Sequence, residues 1–317
     1  MTLAEARELG ARYGLEVSSV QALRAGSVNS NFRLETAAAR SFFLRVYEEQ
    51  ELAGARRELG MIEELARLGI PTPAPLELVS GAGRVAEHAG KPVGLHPWVE
   101  GEILCSARIT PLVARQLGRA LARVHTCSEQ LSEIPEGRFR VQDLYLRLDH
   151  VDRVAGSYAA DSAQIRQRLV HYTELLDSAG PLPRGLIHGD LFRDNVLWQA
   201  GQLRALLDFE SASLGVFGYD LMVCVHAWCY GDAYDMSLVG ALFDGYSAER
   251  ALGPAERSAL PALGALAALR FATTRITDFS LRAPPGAAPA RDYRRFLARL
   301  SALEAGVLDP IIKGTRT

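Results

Sequence analysis

Several common signatures are missing from this chain, and each absence removes a class of function. The opening residues, "MTLAEARELGARYGLEV", carry acids early and no apolar stretch, so a secretion signal is not expected. The most apolar late run, "LPALGALAAL" (260–269), is too short to span a bilayer and contains Pro261. A soluble, cytoplasmic protein is the expectation. The four cysteines, Cys105, Cys127, Cys224 and Cys229, form no C-x-x-C pair and have no histidine cluster beside them, which argues against zinc. Without an export signal they read as reduced thiols in or near the core. The net charge of −2 supplies no basic field for nucleic acid or an acidic membrane. G-x-S-x-G and H-E-x-x-H are both absent, against serine hydrolase and zincin chemistry. "GAGRVA" (81–86) matches the dinucleotide pattern G-x-G-x-x-A in form only. That motif needs a helix directly after it, and "EHAGKP" with Gly90 and Pro92 follows, so a turn is expected. No repeat of 20–50 residues is found.

What is present suits one large domain or two lobes: 317 residues, 48% of them apolar. The first quarter reads as short strands, 17–23, 31–36 and 41–49, separated by turn formers. Residues 51–68 change to helical period, with Leu52, Ala55, Leu59, Ile62, Leu65 and Ala66 near one face, until Gly69 and Pro71 stop it. Residues 73–102 read as two or three more strands. From about 108 onward helices dominate, with candidates at 109–126, 161–178, 217–230, 235–250, 256–280 and 289–305. Short strands around "LIHGD" and "LRALLDF" interrupt them, and "RAPPGAAPA" (282–290) is a surface loop by composition. The fold class expected is α+β, with a small β-rich N-lobe (1–100), a larger helical C-lobe (101–317) and a joint near 97–104.

The chemistry centres on "LIHGDLFRDNVLW" (186–198) and "LLDFE" (206–210). Each places an acid, Asp190 or Asp208, at the end of an apolar strand, and Asn195 precedes another apolar run. Such groups are costly to bury unless a metal, a substrate or a tight turn uses them. Phosphoryl transfer needs a carboxylate at the acceptor hydroxyl and oxygen ligands for Mg²⁺, which takes one carboxylate and one amide from a protein and keeps several waters. Asp190, Asn195 and Asp208 supply that set, brought together if the two strands pair.

H-G-D-x-x-x-x-N followed by an apolar strand and D-F-E resembles the catalytic and metal-binding segments of the aminoglycoside phosphotransferase and choline kinase group, which has the protein-kinase-like fold. The resemblance implies ATP and Mg²⁺ as cofactors, Asp190 as catalytic base and Asn195 with Asp208 as metal ligands. His188 would support the loop. "AGSVNSNFRLET" would be the turn over the phosphates, with Gly26 and Ser27 allowing close approach and Asn29, Ser30 and Asn31 offering polar groups. Arg45 stands on the strand that usually carries a phosphate-contacting lysine, and its fork of donors suits phosphate oxygens. Glu58 would be its partner, with Glu51 and Glu63 as rivals. "HPWVEGE" (96–102) would link the lobes, with Trp98 and Val99 near the adenine edge.

A closer resemblance, spread over "VNSNFRLETAAARSFFLRVYEE", "LARLGIPTPAPLE", "GLIHGDLFRDNVLW", "YDLMVCVHAWCY" and "ALRFATTRITDF", is to homoserine kinases of that fold. Two departures stand out: "ESASLGVFGYDL" after "DF", and His226-Ala227 where an amide and an acid commonly precede "WC". An amino-acid acceptor needs an anion for its ammonium and a cation for its carboxylate. Asp220, His226, Arg270 and Arg275 are the candidates, although Asp220 could instead brace the loop and Asp278 could pair with Arg275. Choline, methylthioribose, a sugar or an aminoglycoside are alternative acceptors, and a pseudokinase binding module is the non-enzyme alternative. The partner expected is a small molecule; the oligomeric state is left open.

Overall fold

The computed structural model describes residues 1–23, 28–137, 139–283 and 290–314. Helix α1 (Leu3–Arg12) opens the chain, with Thr2 and Glu5 forming a capping box. It is absent from the sequence expectation. Strands β1 (Val17–Leu23), β2 (Ser30–Thr36) and β3 (Ser41–Val46) follow, then α2 (Leu52–Arg67), β4 (Ala86–His88) and β5 (Lys91–Pro97). They form one antiparallel sheet in the order β1-β2-β3-β5-β4. The "GAGRVA" segment is a turn running into β4, with Gly81 and Gly83 at positive φ.

Strand periodicity explains how this sheet serves two purposes. On β3, Phe42, Leu44 and Val46 are buried with Phe32, Leu34, Val93 and Leu95 in a core closed by Leu9 of α1 and by Tyr13 just after it. Phe43 and Arg45 alternate with them, so they point to the opposite face and line the cleft. Asn31 sits directly across from Arg45 in the β2–β3 register.

The second lobe contains α3 (Pro111–Thr126), α4 (Val141–Val154), α5 (Ala159–Ser178), β6 (Arg184–Ile187), β7 (Val196–Gln199), β8 (Gln202–Leu206), β9 (Ser213–Val216), α6 (Phe217–Trp228), α7 (Met236–Glu249), α8 (Pro254–Arg275) and α9 (Arg294–Glu304). Helix α8 packs on α5, α6 and α9 at its centre and ends in a π-turn over Ile276–Ser280. Helices α3 and α7 cross closely because both crossing residues are glycine. A Cβ at Gly118 would stand 2.2 Å from the Leu242 carbonyl oxygen, and one at Gly245 2.0 Å from that of Arg115. No helix among the described residues is long and apolar enough to cross a membrane. All four cysteines are free thiols; Cys127, Cys224 and Cys229 are buried, but Cys105 is exposed, against the expectation that it lies in or near the core.

The strand pairing corrects one expectation. The strands ending before Asp190 and Asp208 do not pair with each other; β6 pairs with β9, and β7 with β8. Instead, cross-strand hydrogen bonds from the loops join the two segments. His188 Nε2 lies 3.0 Å from the Leu207 carbonyl, and the Leu207 amide donates to the Asn195 carbonyl at 2.9 Å. The two segments are therefore joined by the His188 ring and by backbone groups at the strand ends, not through a shared ladder.

Candidate active site

The loop after β6 is held from beneath. Asp220, fully buried near the start of α6, accepts hydrogen bonds from the His188 amide at 2.7 Å and the Gly189 amide at 2.8 Å. Gly189 has φ +73°, and a Cβ there would meet the Ser211 carbonyl oxygen at 2.9 Å, so glycine is required. The carboxylate also meets His125 Nε2 at 3.1 Å, and His125 Nδ1 meets the Tyr246 hydroxyl at 2.7 Å. Burial opposes charge on Asp220, but the hydrogen bonds to His125 and His188 outweigh it and hold its carboxyl below the usual range. Burial also depresses His125, leaving a neutral ring that donates to Asp220 and accepts from Tyr246. Asp220 thus braces the loop and is enclosed away from any acceptor, which corrects its expected substrate role. His125 was not singled out from sequence, since a histidine on an apolar helical face carries no signal of its own.

Asp190 emerges from this braced turn with its side chain one-third exposed. Its carbonyl accepts from Asn195 Nδ2 at 2.8 Å. That contact commits the amide nitrogen inward and leaves Oδ1 as the outward acceptor. Trp228 fixes the next residue by donating to the Leu191 carbonyl at 2.8 Å. Asp190 Oδ1 pairs with Arg270 at 3.2 Å, while Oδ2 makes no hydrogen bond among the described residues.

Asp208 closes β8 in the left-handed conformation, with φ 62° and ψ 66°. An aspartate tolerates this region better than most residues, and such conformations concentrate at functional sites. Its Oδ1 lies 3.0 Å from Arg45 Nη1, which is also 3.8 Å from Glu58. Glu63, an expected rival for Arg45, pairs instead with Arg84. Burial opposes the Arg45 cation, but Asp208, Tyr47 and Glu58 together outweigh it, so the guanidinium stays charged. Burial pushes the Glu58 carboxyl up to about 7 against the pull of Arg45, and Gln50 donates to it at 2.7 Å. Asn31 accepts from Arg45 Nε at 3.3 Å. Asn29 links the sheet to the Asp-Phe-Glu segment by donating to Glu210 at 2.9 Å. Ser27, with Gly26, lies outside the described residues.

A cavity of about 430 Å³ opens between the lobes, lined by Phe43, Arg45, Glu58, Trp98, Val99 and Asp208 among others. Its apolar walls and charged end suit a nucleotide's base and phosphates. The Trp98 amide is used by the Ser41 carbonyl at 3.1 Å, and the Trp98 indole lies under Arg33 at 4.6 Å. A second cavity, of about 240 Å³, lies beside the turn at Gly189, lined by Phe139, Gly189, Ser211, Tyr219 and Arg270 and walled largely by apolar side chains such as Leu144, Ile187 and Leu263. Phe139, Ser211 and Tyr219 were not expected from sequence; only the fold places them near Asp190.

Two expected substrate residues are not brought to that cavity. His226 is fully buried, with Nε2 on the Gly264 carbonyl and Nδ1 on the Tyr234 hydroxyl, both at 2.8 Å. Burial lowers it to about 4, so it is a neutral core ring. Arg275 donates to the Asp292 carbonyl at 2.9 Å and stacks over Phe296, in a separate cavity that Phe192, Arg193 and Asp194 also line. Asp278 pairs with Arg147 at 2.7 Å rather than with Arg275.

No group of three or more histidine, cysteine, aspartate or glutamate side chains suited to a metal occurs among the described residues. The available donors are the hard oxygens of the Asp208 carboxylate and the Asn195 amide, which fits a divalent cation that also keeps water and phosphate ligands.

A sheet-borne cation facing an Asp-Phe segment, across a cleft from a braced aspartate, defines a phosphotransferase of the protein-kinase-like fold. The chain belongs to the Phosphotransferase enzyme family, whose model matches residues 19–260. A homoserine kinase of Chelativorans sp. (strain BNC1) is 34% identical over 294 residues, 89% of this chain and 87% of that protein. One of Methylocella silvestris is 31% identical, covering 91% and 89%. Among solved structures, a microcompartment-associated aminopropanol kinase has a TM-score of 0.74 at 19% identity, with 98% of each chain covered. An amicoumacin kinase in complex with AMP-PNP, Ca²⁺ and Ami reaches 0.72 at 17% identity, covering 96% and 93%. The chain is an ATP-dependent kinase of a small-molecule hydroxyl.

Proposed function

We propose that this protein transfers the γ-phosphoryl group of Mg·ATP to the side-chain hydroxyl of L-homoserine, in the cytoplasm. The observation that carries the chemistry is the position of Asp190. It stands on a loop fixed by Asp220, with Asn195 and Asp208 on the nucleotide side and Arg270 on the other. The choice of homoserine rests on the naming of relatives that match about nine-tenths of the chain.

In this reading residues 1–100 hold the nucleotide and residues 101–317 carry the catalytic loop and the acceptor. Arg45, kept in place by Glu58 and Asn31, supplies paired donors to phosphate oxygens. Asn29 and Ser27 belong to the turn over the phosphates, and Trp98 and Val99 border the adenine. Asn195 Oδ1 and the Asp208 carboxylate are the protein's ligands for Mg²⁺, which would offset charge on the phosphates when bound. Asp190 Oδ2 accepts the acceptor's hydroxyl proton as that oxygen bonds to the γ-phosphorus. The bond to the bridging oxygen breaks, and ADP departs. Positioning and electrostatics supply most of the acceleration in such transfers.

The test is an acceptor panel with Mg·ATP: L-homoserine, choline, methylthioribose and kanamycin. Homoserine is expected to give the highest kcat/KM. Turnover confined to another acceptor would overturn the substrate assignment while keeping the kinase mechanism.

A further inference from the structure

Arg270 is an unusual feature of the acceptor side. It lies about three-quarters along α8, a helix whose neighbouring positions are almost all apolar, and only 4% of it is exposed. A buried guanidinium is costly unless charge and hydrogen bonds compensate it. The compensation here is partial. Nη1 makes all its described hydrogen bonds, to Asp190 Oδ1 at 3.2 Å and the Gly189 carbonyl at 3.4 Å. Nε is buried without a partner. The guanidinium carbon lies 4.1 Å from the Phe139 ring centre and 3.9 Å from that of Phe271. Two aromatic rings therefore flank the cation and leave its edge to form hydrogen bonds. Arg270 is among the residues that line the 240 Å³ cavity beside the catalytic loop.

We propose that Arg270 binds the carboxylate of the acceptor through Nε and Nη2 while Nη1 holds Asp190, so that one side chain selects hydroxy acids and sets their hydroxyl against the base. The inference rests on the reading of the protein as a homoserine kinase and deepens it. An arginine presents Nε and Nη2 as parallel donors that match two carboxylate oxygens. An acceptor pinned there and at Asp190 must carry its hydroxyl and carboxylate only a few bonds apart. Larger polyols and cationic alcohols lack the anion that the unpartnered Nε requires. Asp190 and Arg270 touch, so the distance between the anchored group and the proton acceptor is set by the protein and not by a flexible loop.

The test compares L-homoserine with 3-aminopropan-1-ol, the same molecule without its carboxylate. Wild type is expected to prefer homoserine in kcat/KM on the order of 10²-fold or more, the usual effect of losing two charge-assisted hydrogen bonds. Arg270→Gln should reduce that ratio to within about tenfold of one, and Arg270→Lys should keep an intermediate ratio. A ratio unchanged in Arg270→Gln would overturn the proposal, because a purely structural role would lower both substrates together. A measurement on wild type alone covers the case of a misfolded variant. L-2-Aminobutyrate, which keeps the carboxylate, should compete with homoserine, and propan-1-amine should not; equal inhibition by both would overturn the proposal. If wild type phosphorylates no hydroxy amino acid, the functional reading itself fails, and that outcome is seen before any variant is compared.

Discussion

Arg45 of the sheet and Asp208 of the second lobe meet across the cleft, with Nη1 3.0 Å from Oδ1. This contact joins the two lobes at the point where phosphates and metal would lie. The cation faces one carboxylate that is partly exposed and a second, Glu58, that is buried. Arginine keeps its charge across the physiological pH range, which suits a group that exchanges a carboxylate for phosphate oxygens.

Replacing Arg45 removes the paired donors and leaves Glu58 with no cation. Arg45→Met is expected to raise the KM for ATP on the order of tenfold or more, since each charge-assisted bond contributes about 1.5–3 kcal/mol. Arg45→Lys should recover part of the loss. Steady-state kinetics with ATP varied will check this.

Asp220 satisfies two backbone amides and a buried histidine at once. Asp220→Ala strips all three partners inside the core. A loss of about 3–5 kcal/mol in unfolding free energy is expected. Urea denaturation of the two proteins measures it, and a loss below about 1 kcal/mol would contradict the bracing role.

Glu58 introduces a pH dependence of definite sign. Its carboxyl titrates at about 7 in the folded protein and near 4.5 when free. The folded state holds the proton more tightly, so its contribution is fully present below pH 4.5 and is lost as the pH rises through 7. The loss is on the order of 3 kcal/mol. Glu58→Gln should flatten this fall in stability between those values, as followed by denaturation at several pH values.

His226 gives the opposite slope, because burial lowers it from 6.5 to about 4. A histidine kept neutral in the folded state costs stability as the pH drops through that window. His226→Gln should lower the melting temperature while leaving the acceptor KM within about twofold, since neither ring nitrogen faces the acceptor cavity. A KM raised tenfold or more would restore His226 as a substrate contact.

How much of this was legible in sequence depends on distance along the chain. His188, Asp190 and Asn195 lie within eight residues, and their spacing alone marked the loop. The pairing of β6 with β9 was not legible, because "SLGV" is only four residues long and carries little strand signal. Helix α4 was missed as well: only Leu144, Leu148 and Val151 are buried along it, with Tyr145 packed beside them. The contact of Arg270 with Asp190 spans 80 residues, and no local pattern encodes it. His226 misled because a polar residue in an apolar helix looks functional until its partners, the Gly264 carbonyl and Tyr234, are known.

The most direct test of the mechanism is Asp190→Asn, assayed for phosphoryl transfer to L-homoserine and, separately, for Mg·ATP affinity by calorimetry. The expected result is a fall in kcat on the order of 10²–10⁴-fold with nucleotide affinity nearly unchanged, because Asn195, Asp208 and Arg45 remain. Turnover close to wild type would contradict the assignment of Asp190 as the group that takes the acceptor's proton.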